Sequence, residues 1–259
     1  MIKWNVDPEL INIGPLSIRY YSLMFIIGFI TMGEYVSRRF KAYGKDPQLV
    51  SSLTTYIIVG MLIGSRLAHC FFYEPQYYLA NPLDIFKIWE GGLASHGGYL
   101  GVIIAVGLFI KKNRDLNYFW LMDVIVGPCL FVGGLIRIGN LFNSEIIGEP
   151  TNLPWAFVFE RVDMIPRHPA QIYESIGYFA IAFFMMWFEI KKSKQFKAGT
   201  AIAIGFIISF TFRFLIEFLK AEQSTLELFS FINMGQVLSL ALVAFGFFLL
   251  LFVNKKRHQ

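Results

Sequence analysis

Charge is scarce in this sequence. Only 16% of its 259 residues are Asp, Glu, Lys or Arg, against about 25% in soluble domains. With 56% apolar residues and a mean hydropathy of +0.54, the composition argues against an ordinary water-soluble enzyme. It also rules out intrinsic disorder, which needs low hydrophobicity and high charge. Cysteine is almost absent. Cys70 and Cys129 are too few for a disulfide framework or a cysteine-built metal site, and both read as small buried apolar groups. There is no HExxH pair and no His/Cys cluster, so no metal and no other cofactor is expected. A Walker A loop, a GxGxxG turn and a GxSxG elbow are missing as well. The N-terminus lacks the basic start and apolar centre of a signal peptide, so Met1 to Ser17 is expected to stay in the mature chain.

What is present is long and apolar. Seven stretches stand out: Tyr20–Ser37, Leu49–Phe72, Gly97–Ile110, Tyr118–Ile138, Ile172–Ile190, Gly199–Phe218 and Phe231–Val253. Most reach the ~20 residues a helix needs to cross hydrocarbon. The third is short and follows a glycine-rich approach, Gly91 to Gly98. Period-two alternation is missing, which disfavours a β-barrel. Basic residues gather after every odd stretch: Arg38, Arg39, Lys41 and Lys45; Lys111, Lys112 and Arg114; Lys191, Lys192, Lys194 and Lys197; Lys255, Lys256 and Arg257. The positive-inside rule then predicts seven crossings, with the N-terminus outside and the C-terminus cytoplasmic. The net charge of +5 reads as a topology signal and an anionic-lipid anchor, not a nucleic-acid surface. The expected fold is one all-α integral membrane domain over 1–259, with residues 139–171 as a small extracytoplasmic cap.

Charged groups inside a membrane cost roughly 2.5–3.5 kcal/mol each on insertion scales. The topology places several of them at one depth, near the outer headgroups. These are Arg66, His96, Arg137, Arg213 and Glu217, with Tyr21 at the outer end of the first stretch. Arg213 and Glu217 are four apart and share a helix face, together with Ser209 and Lys220; an intrahelical ion pair is one reading of them. Arg137 to Glu145 combines a guanidinium, Asn140, Asn143 and a carboxylate around Gly139. That segment can bind and fix a phosphate, or be a self-capped helix terminus. Arg66 can bind a lipid phosphate or snorkel outward. His69 reads as structural. Asp123 lies about 21 Å from Arg137 at 1.5 Å per residue, and is expected to pair or cap locally. Three arginines at headgroup depth ask for a phosphate-bearing partner, and a histidine nearby offers a proton acceptor near neutrality. Group transfer from a phospholipid fits this set, and so does an anion or anionic-lipid transporter.

The motifs then become specific. His96-Gly97-Gly98-Tyr99-Leu100-Gly101, Arg137-Ile138-Gly139-Asn140-Leu141-Phe142-Asn143-Ser144-Glu145 with Gly148, and Arg167-His168-Pro169-Ala170-Gln171-Ile172-Tyr173-Glu174 resemble, in order, those of bacterial phosphatidylglycerol–prolipoprotein diacylglyceryl transferases. Tyr20 to Met24, Phe212 to Phe218 and Asn233 to Gln236 resemble the family's first, sixth and last span motifs. The resemblance implies a multi-pass enzyme of the bacterial inner membrane. Such enzymes move the diacylglyceryl group of phosphatidylglycerol to the lipobox cysteine of a preprolipoprotein, forming a thioether and releasing glycerol phosphate. It implies catalytic roles for His96, Arg137 and Arg213, and substrate contacts for Tyr21, Asn140, Glu145 and Gly148, with Arg66, Asn143 and Glu217 completing the expected binding set. The chain departs from some relatives at Ser209, where they carry tyrosine, and over Phe218 to Glu222, where an arginine is more usual. A lateral opening between helices is expected, since the lipid must enter sideways.

Overall fold

The computed structural model describes residues 1–13, 16–88, 91–92, 94–192, 195–221 and 233–255. Of Ile13, Leu16, Ser95, His96, Tyr99 and Met234 it describes the backbone alone. In chain order the elements are β1 (Ile2–Trp4), β2 (Glu9–Ile13), β3 (Leu16–Arg19), α1 (Tyr20–Ala42), α2 (Leu49–Phe72), the short α3 (Pro75–Ala80), α4 (Ser95–Lys112), α5 (Tyr118–Asn143), β4 (Phe157–Phe159), β5 (Pro166–Arg167), α6 (Ala170–Lys192), α7 (Thr200–Ile216) and α8 (Met234–Lys255). Single 3₁₀ turns cover Pro82–Phe86 and Glu217–Leu219. Each of the seven apolar stretches carries a helix in its described part; Phe231 and Ile232 of the last lie outside the described residues. Four of them, at Leu49–Phe72, Tyr118–Asn143, Thr200–Leu219 and Gly235–Lys255, are long and apolar enough to cross a membrane, as befits a helical integral membrane protein.

The chain divides into two compact units, one of Met1–Tyr35 with Met122–Gln259, the other of Val36–Leu121. In the first, short strands, which the all-α reading did not include, stand beside the helices. β1 runs parallel to β4, with Ile2 opposite Phe157 and Trp4 opposite Phe159; β4 pairs antiparallel with β5, and β2 and β3 form a hairpin. Strands of two to five residues are too short to leave a periodic signature. The partner of β1 lies far along the chain. Leu141, Phe157 and Phe159 make a small buried core with Trp4, Ile147 and Ile172 against it. The Trp4 indole N–H donates to the Leu141 carbonyl at 3.0 Å. That bond ties the N-terminal strand to the last turn of α5, which runs to Asn143, five residues past the expected end at Ile138.

Helix α7 shows how buried polar groups are spent. It starts after Gly199, whose φ of +99° is left-handed and suits glycine. Glycine carries no capping side chain, so the first amides need another acceptor. Asp123 of α5 supplies it, accepting from Gly199 N at 2.6 Å and Ile202 N at 2.7 Å. The local role expected of Asp123 is thus a cap, given to another helix. Asp123→Ala is expected to cost about 1 kcal/mol and lower the melting temperature of the detergent-purified protein. An unchanged transition would remove the cap from the account.

Candidate functional site

In the first unit, α5, α6 and α7 converge their charges on one carboxylate. Glu174 of α6 is fully buried. Arg137 Nε lies 3.2 Å from Glu174 Oε2, and Arg213 Nη1 and Lys220 Nζ each lie 3.9 Å from Oε1. Among the described residues neither Glu174 oxygen accepts a hydrogen bond of regular geometry, so the attraction to these cations is ionic rather than directional. Lys220 Nζ also donates to Glu217 Oε2 at 3.0 Å. Three cations therefore meet two carboxylates. Lys220 is almost wholly buried, while the side chains of Arg137 and Arg213 keep 15% and 30% of their surface exposed. The surplus positive charge thus sits on two guanidiniums that remain accessible.

The intrahelical pair of Arg213 with Glu217 is replaced by this network. A 3₁₀ turn over Glu217–Leu219 brings Lys220 back onto Glu217, and Arg213 turns to Glu174. Glu217 is also fixed by the next helix. A Cβ at Gly235 would come within 2.9 Å of Glu217 Oε1, so glycine lets the carboxylate approach the start of α8. That start is closed by a reciprocal box, Asn233 N to Gln236 Oε1 at 3.1 Å and Gln236 N to Asn233 Oδ1 at 2.9 Å.

The Arg137 segment forms a relay. Arg137 Nη1 donates to Asn140 Oδ1, Asn140 Nδ2 to Glu145 Oε2, and Asn143 Nδ2 to Glu145 Oε1, all at 3.2 Å. Ser144 and Ile146, on either side of Glu145, have φ of 55° and 56°. Positive φ is a strained state for a β-branched residue. It is held by Gln171, which is fully buried and donates to the Glu145 carbonyl at 2.6 Å. Gly148 bridges to Lys220 and donates to the His168 carbonyl at 3.0 Å. A side chain there would collide with the carbonyls of His168 and Leu219. Tyr21 fills the space a Cβ on Gly139 would need, which packs the start of α1 against this turn of α5. Outside the spans, Arg167 hydrogen-bonds Asp163 at 2.7 Å and holds its carboxyl below the usual range. A polar hollow of about 220 Å³ between the β2–β3 hairpin and Arg161 reaches Asn143 and Glu145.

In the second unit, α2 and α4 cross through glycines. A Cβ on Gly64 would strike the Gly97 carbonyl, and one on Gly101 the Gly60 carbonyl. Small residues at such spacing let helix backbones meet. His96 occupies the second position of α4; its side chain lies outside the described part. Ala94 N donates to the Ser65 carbonyl at 3.0 Å, fixing the start of α4 to α2.

Arg66 is neither a snorkelling group nor an open phosphate fork. It is 3% exposed and donates to the carbonyls of Ile85 (2.9 Å), Asp84 (2.6 Å), Gly91 (2.6 Å) and Gly92 (3.3 Å), with its guanidinium over the Tyr78 ring. The reason is local. Loop carbonyls taken from water need donors, and one planar fork reaches several. Gly92, with φ +70°, leaves no room for a Cβ beside Arg66 and His69. His69 stacks on Tyr73 and lies 3.8 Å from Glu74. An apolar groove of about 600 Å³ runs along the α2–α4 crossing, walled by Val59, Ile63, Leu67, Leu100 and Ile104 and reaching Gly97.

Glu174 and Lys220 complete the network although neither stood among the expected site residues. A signal for Glu174 existed: a carboxylate at the third residue of the stretch Ile172–Ile190, at the end opposite Glu189 and the basic cluster.

The comparisons agree with one another. The family model described as prolipoprotein diacylglyceryl transferase matches residues 8–252. A protein of Tolumonas auensis named phosphatidylglycerol–prolipoprotein diacylglyceryl transferase is 43% identical over 258 residues, 99% of each chain. Proteins of the same name from Chloroherpeton thalassium and Bacteroides fragilis are 43% and 41% identical, covering 100% and 99% of this chain and 96% of their own.

Proposed function

The chain belongs to the prolipoprotein diacylglyceryl transferase family, and from that premise we propose that it transfers the diacylglyceryl group of phosphatidylglycerol to the lipobox cysteine thiol of a preprolipoprotein. The observation that carries this reading is the surplus of cationic charge around Glu174, with Arg137 and Arg213 still partly open. Guanidinium forks match phosphate oxygens. In the proposed reaction the thiol loses its proton, since the thiolate is the nucleophile. His96 accepts that proton, a role carried over from the family motif. The sulfur attacks the glycerol carbon bonded to the phosphate oxygen. A C–S bond forms, the C–O bond breaks, and glycerol phosphate leaves with the electron pair. Arg137 and Arg213 offset the charge growing on it, the kind of preorganised electrostatic term that is usually largest. Asn140, Asn143 and Glu145 hold Arg137 in place; Glu217, through Lys220, does the same for the opposite side of the network.

The seven crossings, an N-terminus outside and a bacterial inner-membrane location belong to the same proposal, supported by the spacing of basic residues. The α2–α4 groove is apolar enough to take an acyl chain from the side.

Purified protein incubated with phosphatidylglycerol and a lipobox peptide should add one diacylglyceryl mass to the cysteine. Flux of anionic lipid across vesicles without that mass gain would instead support a transporter. The pH–rate profile tests His96. Turnover should rise with pH as its imidazole becomes neutral, and His96→Gln should abolish that ascending limb. A limb surviving at the same pH assigns the proton to another acceptor.

A further inference from the structure

Helix α4 begins without a cap of its own. The residue before it is Ala94, which offers no capping side chain, although helix starts favour one. Its placement therefore comes from α2. The Ala94 amide donates to the Ser65 carbonyl at 3.0 Å, and the Ala94 carbonyl accepts from Gly98 N at 3.2 Å. Just beyond, the α2 backbone at Gly64 meets Gly97 so closely that neither has room for a Cβ. His96, the second residue of α4, lies between these two contacts.

Arg66, the neighbour of Ser65, holds the chain that leads there. Its Nη1 donates to the carbonyls of both Gly91 and Gly92, its Nη2 to Asp84 and its Nε to Ile85, at 2.6–3.3 Å. Four of the five N–H groups of a guanidinium are thus taken. The plane is fixed as well, since it lies over the Tyr78 ring at 5.1 Å. Gly91 and Gly92, with φ of +91° and +70°, use the freedom of glycine to turn two successive carbonyls to one nitrogen. A Cβ on Gly92 would come within 2.8 Å of that nitrogen and 2.6 Å of the His69 ring. A charge kept at 3% exposure and bonded only to neutral carbonyls calls for a purpose. Contact with a ligand is not that purpose, because the fork is spent on the backbone.

We propose that Arg66 is a positioning residue for the transfer reaction: it fixes the approach to α4, and with it the backbone that carries His96. Its role rests on the proposed reading of His96 as the acceptor of the thiol proton. Catalytic groups misplaced by about an ångström lose roughly 10²-fold in rate, so a clamp of four hydrogen bonds on this approach has a direct kinetic consequence.

The test is thioether formation by the full-length protein in phosphatidylglycerol micelles with a lipobox peptide, from about pH 7 to about pH 9.5. The upper end lies about one unit above the ordinary pKa of a free thiol. At about pH 7, Arg66→Gln should turn over roughly 10²-fold more slowly than the wild type. The deficit should shrink to less than about tenfold at the upper end, where the thiol ionises without a base. A loss of folded molecules lowers turnover by the same factor at every pH. A constant ratio, or wild-type turnover throughout, would overturn the proposal. Should Arg66→Gln fail to fold, Gly92→Ala leaves Arg66 in place and displaces a carbonyl that it holds. The same narrowing deficit is expected there, and a constant ratio or full activity overturns it. Failure of the transfer reading shows differently, as absence of thioether in the wild type, and failure of His96 as base shows in the His96→Gln profile. In either case hydrogen exchange at the Ala94 and Gly98 amides decides about Arg66. Faster exchange in Arg66→Gln supports the clamp, and equal exchange overturns it.

Discussion

Arg137→Lys should lower turnover roughly 10²–10³-fold, the loss typical of removing one preorganised donor to developing charge. The substitution keeps the charge, so a purely Coulombic role would survive it. The geometry shows why it should not. Arg137 uses Nε toward Glu174 at 3.2 Å and Nη1 toward Asn140 at 3.2 Å, and its remaining donors, which bond none of the described residues, can meet a phosphate in a fixed plane. A lysine ammonium is a point donor on a flexible stem. Turned to Glu174 it abandons Asn140, and with it the relay that reaches Glu145. Turned to the phosphate, it leaves Glu174 with Arg213 and Lys220 alone. The measurement is kcat for thioether formation at saturating lipid, with the melting temperature as the check on folding. Near-wild-type turnover would show that a fork is not needed at this position.

The arginines were legible from the sequence because depth in a membrane is countable: the distance of a residue from the end of its apolar stretch gives its level. That argument put Arg137 and Arg213 at one level, and the first unit joins both to Glu174. It also put Arg66 there, where the structure spends the side chain on loop carbonyls. Depth says nothing of azimuth, and the carbonyls that claim a guanidinium belong to a loop without a periodic pattern. Glu217 shows the same limit. Four-residue spacing correctly put it on the face of Arg213, but a 3₁₀ turn gave it to Lys220 instead. Glu174 lay inside the stretch Ile172–Ile190 but figured only as the end of the family motif from Arg167, and its charge was not counted among those at headgroup depth. The strands around Trp4 and Phe157 could not be read at all, since their pairing spans most of the chain.

The largest effect on stability is expected at Glu174. Glu174→Gln removes the one carboxylate that Arg137, Arg213 and Lys220 share. Breaking a buried pair costs about 3–5 kcal/mol, because the partner charge stays behind without compensation. Here the partner most exposed to that penalty is Lys220, the most buried of the three, which keeps only Glu217. Arg137 and Arg213 are partly open and can recover some hydration. The thermal transition of Glu174→Gln should therefore fall steeply. Adding Lys220→Met should restore part of it by removing the trapped ammonium, while leaving thioether formation low because the arginines have lost their anchor. Inorganic phosphate offers an independent reading. An anion that occupies the vacated charge stabilises the folded state by mass action, so phosphate should raise the transition of Glu174→Gln more than chloride at equal ionic strength. It should raise the wild type less, where Glu174 already offsets part of the arginines' charge. Equal shifts in the two proteins would mean that carboxylate and phosphate do not compete for the same cations, and the site would have to be sought elsewhere on the chain.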